Sequence, residues 1–77
     1  MISNNYLTHR EREILFYWCK DLTDKEIANI LFISIYTFRS HIKNIYNKLG
    51  VSKRHLAVLK AIELGIYKNG DENTTNR

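Results

Sequence analysis

The chain has 77 residues, which limits it to one small domain with a modest core. Its single cysteine excludes an intrachain disulfide, and its three histidines lack the paired spacing of a zinc site. No apolar run approaches the roughly 20 residues of a membrane span, and no leader precedes the first polar stretch. We therefore predict a cytoplasmic protein that binds no metal, no cofactor and no membrane.

The formal charge of +4 is unevenly distributed along the chain. Five of the eight acidic residues lie before Ile27, and none lies between Ile27 and Ile62. That acid-free stretch holds six Lys or Arg residues and two His residues. A basic half of this kind is expected when the partner is a polyanion, although a solvated basic surface would give the same pattern.

The sequence predicts an all-α domain, because it contains no proline and its apolar residues recur with a helical period. Thr8 followed by Glu11 predicts a capping box that starts helix 1, which runs to about Lys20. Thr23 and Glu26 repeat this box at the start of a short helix 2. The residues predicted to face the core from these two helices are Ile14, Leu15, Trp18, Ile27, Ala28 and Leu31.

Two further helices follow a tight connection after helix 2. Ser34 is placed to cap helix 3, at about 35–49, which Gly50 is expected to end in the left-handed conformation. Ser52 is predicted to cap helix 4, at about 53–64.

These elements define one domain with two short flanks. The domain spans 7–67, between an N-terminal extension at 1–6 and a polar tail at 68–77. The tail lacks apolar periodicity, so we expect it to be disordered.

Helix 3 is amphipathic, yet it contains no acidic residue. At about 100 degrees per residue, its core-facing stripe consists of Phe38, Ile42, Ile45 and Leu49. The opposite stripe consists of Tyr36, Ser40, Lys43 and Asn47, with Arg39 at its edge. A helix that faced only water would usually mix both charge signs, because Glu–Lys pairs four residues apart are stabilising. A surface with hydrogen-bond donors and no carboxylate can bind phosphates and the edges of bases. A short helix followed by a longer basic helix is also typical of a helix-turn-helix unit.

Several separate motifs carry a family resemblance. They are "LTHRERE" at 7–13, "LTDKEIANILFIS" at 22–34 and "TFRSHIKNIYNKLGV" at 37–51, followed by Arg54 and Ala57. In this order and spacing, the chain resembles the LuxR/GerE-type DNA-binding domain of bacterial transcription regulators over 7–67. The resemblance implies a four-helix domain whose third helix enters the major groove and whose fourth helix dimerises on a two-fold operator.

The resemblance also implies site residues. The base-facing positions of the family fall on Arg39, Ser40 and Lys43, which belong to the outer face of helix 3, and we add Tyr36 from the same face. Arg39 is the strongest candidate for base reading, because its planar guanidinium can donate two hydrogen bonds to guanine, at O6 and N7. The alternative is that Arg39 contacts a phosphate. The phosphate-contacting positions implied by the family are Thr23, Lys25, Thr37, His41, Lys48 and Arg54.

The chain departs from the usual family pattern in places. Asp21 stands where Gly is usual after helix 1, so we expect a left-handed Asp there. Ile35 and Tyr36 replace charged residues, and Phe38 replaces a smaller Val. We interpret Ile35 as a surface apolar residue, with contact to a thymine methyl or a sugar as the alternative.

Helix 4 has an apolar arc wider than one core face requires. The family positions that pack inward are Ala57, Val58 and Ala61. The predicted dimer contact is therefore Leu59 and Ile62, rimmed by Lys60 and Glu63. The alternative is that the extra apolar residues cover a thin core in a monomer.

Together these observations predict a homodimeric, sequence-specific regulator of transcription that binds double-stranded DNA and is associated with the nucleoid. No nucleophile, base and orienting acid can be assembled, so we predict that the chain is not an enzyme. The competing hypothesis is a protein-binding adaptor that pairs with another regulator through helix 4. RNA polymerase is a further candidate partner.

Overall fold

The computed structural model describes residues 6–67, which form four α-helices and no strand. The helices are α1 (His9–Cys19), α2 (Asp24–Leu31), α3 (Ile35–Leu49) and α4 (Arg54–Glu63). The predicted all-α fold is therefore confirmed. The predicted tail at 68–77, and all of the predicted extension except Tyr6, lie outside the described residues. None of the four helices has the length and apolarity that a bilayer crossing would need.

The first three helices begin at their predicted caps. The Thr8 hydroxyl accepts from the Glu11 amide at 3.1 Å, and the Glu11 carboxylate accepts from the Thr8 amide at 2.9 Å. Thr23 and Glu26 form the same reciprocal pair at 3.1 and 2.8 Å. The Ser34 hydroxyl accepts from the amide three residues later at 3.0 Å. Each cap contributes about 1 kcal/mol, which is a sizeable share of a small domain's stability.

The start of α4 differs from the prediction. Its N-cap is Lys53 instead of Ser52, and no side chain caps the helix. The chain is still extended at Lys53 (φ −138°, ψ 150°), so the first helical residue is Arg54 and the Ser52 hydroxyl comes too early to cap it. The helix is therefore one residue shorter at each end than the predicted span 53–64.

The core lies between α1 and the other three helices, each of which packs against α1. All six core residues predicted for α1 and α2 are buried. On α3, Phe38, Ile45 and Leu49 are buried as predicted, whereas Ile42 is only partly buried at the edge of the core. Burial of this stripe leaves the opposite face of α3 exposed.

Three described turns place a residue in the left-handed conformation near the ends of α1, α2 and α3. Asp21 (φ 66°) and Gly50 (φ 70°) do so as predicted. Phe32 ends α2 with φ 58°, and its side chain is 93% exposed. A left-handed backbone costs a residue with a Cβ roughly 1 to 2 kcal/mol, and this phenyl ring gains almost no packing in return.

We expect Phe32→Gly to raise the free energy of unfolding by about 0.5 to 1 kcal/mol. Glycine removes the left-handed strain, and its larger unfolded-state entropy offsets part of that gain. Urea denaturation measures the change through the transition midpoint. Phe32→Ala keeps the Cβ and serves as the control, with stability close to wild type. A glycine variant no more stable than the alanine variant would contradict this account.

Candidate nucleic-acid interface

The outer face of α3 brings together the four residues predicted to read bases. Tyr36, Arg39, Ser40 and Lys43 are all exposed, Tyr36 by 76%. The Ser40 hydroxyl donates to the Tyr36 carbonyl at 3.4 Å. Within residues 6–67, Arg39 and Lys43 have no ion pair or hydrogen-bond partner of their own, so both cations project freely from the helix.

An open groove of about 560 Å³ separates α2 from the start of α3. Lys25, a predicted phosphate contact, and Arg39 both line it. Asn29 lines the same groove one turn after Lys25. This residue was not predicted from the sequence, because no local pattern distinguishes it from other exposed polar residues. The groove joins the two helices of the predicted helix-turn-helix unit into one continuous surface, which is also lined by Asp24 and by apolar side chains.

Three other predicted phosphate contacts lie at the start of α2 or on α3. Thr23 and Thr37 are exposed at the starts of α2 and α3, whereas His41 is half-buried. The Thr23 hydroxyl accepts from the Glu26 amide, which leaves its own hydrogen free to donate. The Thr37 hydroxyl accepts from the Ser34 hydroxyl at 3.1 Å.

Lys48 has a partner inside the domain. Its Nζ lies 2.9 and 3.2 Å from the two carboxylate oxygens of Glu11, which is only 2% exposed. Burial raises the pKa of Glu11, but the hydrogen bonds from the Thr8 amide and Lys48 and the nearby positive charges outweigh burial, so the pKa is lowered overall. Lys48 would have to leave a buried carboxylate to neutralise a phosphate.

Arg54 also has partners inside the domain. Its Nη1 lies 3.5 Å from Asp24 Oδ1, its Nη2 donates to the Leu22 carbonyl, and its Cζ lies 5.2 Å from the centroid of the Trp18 ring. Trp18 Nε1 donates to the same Asp24 oxygen at 2.9 Å. We call Trp18, Leu22, Asp24 and Arg54 the Arg54 junction. It could not be predicted from the sequence, because Arg54 lies 30 residues after Asp24.

Three further residues, Ile35, Tyr46 and Cys19, lie between the core and the surface. Ile35 is half-buried and packs against the core, so its interpretation as a surface residue is wrong. Tyr46 packs against Trp18, with ring centroids 6.0 Å apart. Cys19 is partly buried, and burial raises the pKa of its thiol.

The face of α4 that points away from the core is apolar. Leu59 is 56% exposed and Ile62 is 37% exposed, as expected for a predicted contact surface. Leu56 is also exposed and extends these two into a strip that follows the helical repeat. Lys60 and Glu63 flank the strip, with Lys60 Nζ 3.8 Å from the Glu63 carboxylate. We call Leu56, Leu59 and Ile62 the α4 strip.

The sequence matches a known family over most of its length. The model of a family described as "Bacterial regulatory proteins, luxR family" matches residues 5–61. The chain belongs to this family. This luxR-family chain is therefore a transcription regulator with a helix-turn-helix domain, which implies DNA binding, and it is not an enzyme.

Individual relatives agree with this assignment. The chain is 48% identical over 63 residues to the spore germination protein GerE of Bacillus subtilis (strain 168), covering 82% of this chain and 85% of GerE. It is 49% identical over 55 residues to the transcriptional regulatory protein LiaR of the same organism, covering 71% of this chain but 26% of LiaR. The chain thus spans most of GerE but about a quarter of LiaR.

Solved structures give the same result. The structure of the transcription factor GerE superimposes with a TM-score of 0.72 and 47% identity, covering 78% of this chain and 90% of that one. The response regulator ChrA of a heme-sensing two-component system superimposes with a TM-score of 0.77 and 36% identity, covering 82% of this chain and 31% of ChrA. The described helices therefore have the same fold as these two solved structures.

Proposed function

We propose that the chain is a homodimeric, sequence-specific regulator that places α3 in the major groove of double-stranded DNA. The observation that carries the proposal is the outer face of α3, where two unpaired cations lie beside small and aromatic polar groups on a helix without any carboxylate. A major groove is wide enough to admit such a helix. The buried stripe on the other side keeps this face turned outward.

Base reading would be divided along α3. Arg39 can donate two hydrogen bonds to one guanine, and Lys43 follows one turn later to reach a second base or its phosphate. Ser40 lies between them and is small enough to allow close approach. Tyr36, in the first turn, would contact the edge of the site.

Backbone contacts would come from the surface around the groove between α2 and α3. Lys25 supplies a free cation, Thr23 and Thr37 supply hydroxyl groups, and His41 completes the set. We assign smaller direct contributions to Lys48 and Arg54, because each would have to leave a carboxylate within the domain before it could neutralise a phosphate. Contacts of this kind supply most of the affinity, whereas base contacts select the site.

The α4 strip supports dimerisation. Three large apolar side chains on one exposed face would be removed from water by a second copy, with Lys60 and Glu63 at the rim. A two-fold dimer would place its two α3 helices in successive major grooves, about one helical turn apart. We propose that this dimer acts on chromosomal DNA in the cytoplasm.

The second candidate function uses the same strip. An adaptor that pairs with another regulator would also need the exposed apolar face of α4, and RNA polymerase is a further candidate partner. The adaptor would not need the carboxylate-free outer face of α3, and for that reason we favour direct DNA binding.

Selection from a pool of randomised duplexes at near-physiological salt tests the proposal. We expect a two-fold symmetric motif, and a log–log salt slope of about −7 if each subunit neutralises about four phosphates. Ile62→Asp should give a monomer that binds single half-sites weakly, because the substitution places a charge in the α4 strip.

Ile30→Asp is the matched control, since Ile30 is also exposed but lies on α2, away from the strip. It should recover the same motif as wild type. A folded wild-type protein that recovers no motif and has no salt-dependent affinity would contradict DNA reading and favour the adaptor. Unchanged two-site binding by Ile62→Asp would remove α4 from the dimer contact.

A further inference from the structure

The start of α4 is held by a side chain from within the helix and not by a cap. Lys53, at the N-cap, offers no side-chain hydrogen bond. Arg54, the next residue, is instead held on three sides: by the Asp24 carboxylate, by the Leu22 carbonyl and by the face of Trp18. These contacts fix both the position and the plane of the guanidinium.

The Arg54 junction joins two helices that otherwise hardly touch. Among residues 6–67, α2 and α4 have the least direct packing of any pair of helices. Arg54 is the first residue of α4 and Asp24 is the first residue of α2, so their contact connects the two helix starts directly. Trp18 of α1 donates to the same carboxylate and packs beside Tyr46 of α3, so the junction touches all four helices.

We propose that Arg54 is a positioning residue that sets the angle between α4 and the helix-turn-helix unit, and thereby the spacing of the two half-sites that a dimer reads. This inference rests on the proposed function, because α4 then relates the two subunits and α2 carries α3 onto the DNA.

The dimensions of the domain make spacing sensitive to this angle. The domain is 20 Å across in its shortest direction. Even over this shortest extent, a rotation of about 10° displaces the opposite surface of the domain by about 3.4 Å, the rise of one base pair. A small change at the start of α4 would therefore shift the preferred spacing by a whole base pair.

The chemistry of the contacts requires arginine. The planar guanidinium of arginine donates hydrogen bonds from two of its edges while its face stacks on an aromatic ring, whereas lysine has a single rotatable ammonium group. Arg54→Lys therefore keeps the positive charge and loses the defined plane. The substitution separates positioning from a simple phosphate contact, for which the charge alone would largely suffice.

Binding of Arg54→Lys to a series of duplexes tests the proposal. The series carries the selected operator with its central spacer changed in steps of one base pair, together with a single half-site. We expect wild type to lose affinity about tenfold for a one-base-pair change. Arg54→Lys should bind the original spacing and the neighbouring spacings almost equally well, with each affinity expressed relative to the same variant's affinity for the half-site.

Two further variants complete the test, with thermal melts to establish that each is folded. Asp24→Asn keeps an acceptor for Trp18 but removes the ion pair, so it should relax the spacing preference partly. Lys53→Arg is the control beside the junction and should keep the wild-type preference.

Three results would overturn the inference. One is a spacing preference in Arg54→Lys as strict as in wild type. Another is an equal loss on every duplex, including the half-site, with a shallower salt slope, which would make Arg54 a phosphate contact. The third is a wild-type protein that binds single sites only, which would also remove the dimer of the proposed function, whereas the first two leave it intact.

Discussion

Arg39→Ala is expected to lower affinity for the selected operator by about 1 to 3 kcal/mol per half-site, and a dimer loses two such contacts. Arg39 is exposed at the edge of the outer face of α3, and its guanidinium has no partner among residues 6–67 that would compete with a guanine. The loss of affinity for random duplex should be smaller, because Arg39 contributes only its positive charge to binding there. Titration of labelled operator and random duplex, followed by fluorescence anisotropy, measures both.

Lys20→Ala provides the control for this substitution. It removes the same charge from an exposed position at the end of α1, where Lys20 lies over the Phe16 ring and away from α3. Its affinity should stay close to wild type on both duplexes. If Arg39→Ala loses as much on random DNA as on the operator, Arg39 contacts a phosphate and not a base.

Lys48→Met is expected to lower the free energy of unfolding by about 2 kcal/mol at neutral pH. Loss of one partner from a buried ion pair costs about 3 to 5 kcal/mol, and we discount this value because Lys48 is one-third exposed. The remaining partner, Glu11, would keep a buried negative charge with the Thr8 amide as its remaining hydrogen-bond donor and His41 nearby. Urea denaturation monitored by circular dichroism measures the change.

The same variant should change how the free energy of unfolding depends on pH in the acid range. The pKa of folded Glu11 is lowered from its ordinary value of 4.5. Its ionised form therefore stabilises the fold above that value, and this contribution disappears as the pH falls through the lowered pKa. Without Lys48 the folded pKa rises, so the contribution of Glu11 should be lost at a higher pH than in wild type.

Lys43→Met is the matched control, because it makes the same substitution on the same helix at an exposed residue without an ion pair. It should change stability by no more than about 0.5 kcal/mol. Equal effects of Lys43→Met and Lys48→Met would show that the contact with Glu11 contributes nothing. Glu11→Gln should reduce the difference between the two lysine variants, since the two partners are coupled.

The features that sequence reasoning predicted correctly depend on neighbours within a few residues. The caps at Thr8, Thr23 and Ser34 need only the amide three residues later, and the buried stripe of α3 follows from helical periodicity. The exposed face of α3 follows from the same period. Family resemblance then added the function, which periodicity alone could not supply.

The features that escaped prediction depend on distant parts of the chain or on the exact start of a helix. Lys48 and Glu11 are 37 residues apart, and no local pattern marks either as the other's partner. Arg54 and Asp24 are 30 residues apart, and they meet only because α1 and α3 bring the two helix starts together. Ser52 has the right chemistry for a cap, but the helix begins one residue later than a cap at Ser52 would require.

The central place of α1 bears on how this domain could be transplanted. The α2–α3 pair that would read DNA does not bury its own apolar side chains, such as Phe38 and Ile45, by itself, since α3 also packs against α1 and α4. A hybrid protein that borrowed only this pair would expose those side chains and lose the fixed direction of α3. The smallest fragment that could be transferred with its fold intact is therefore the whole four-helix domain. Its DNA specificity can be redesigned by substitutions on the outer face of α3, which leave the supporting helices unchanged.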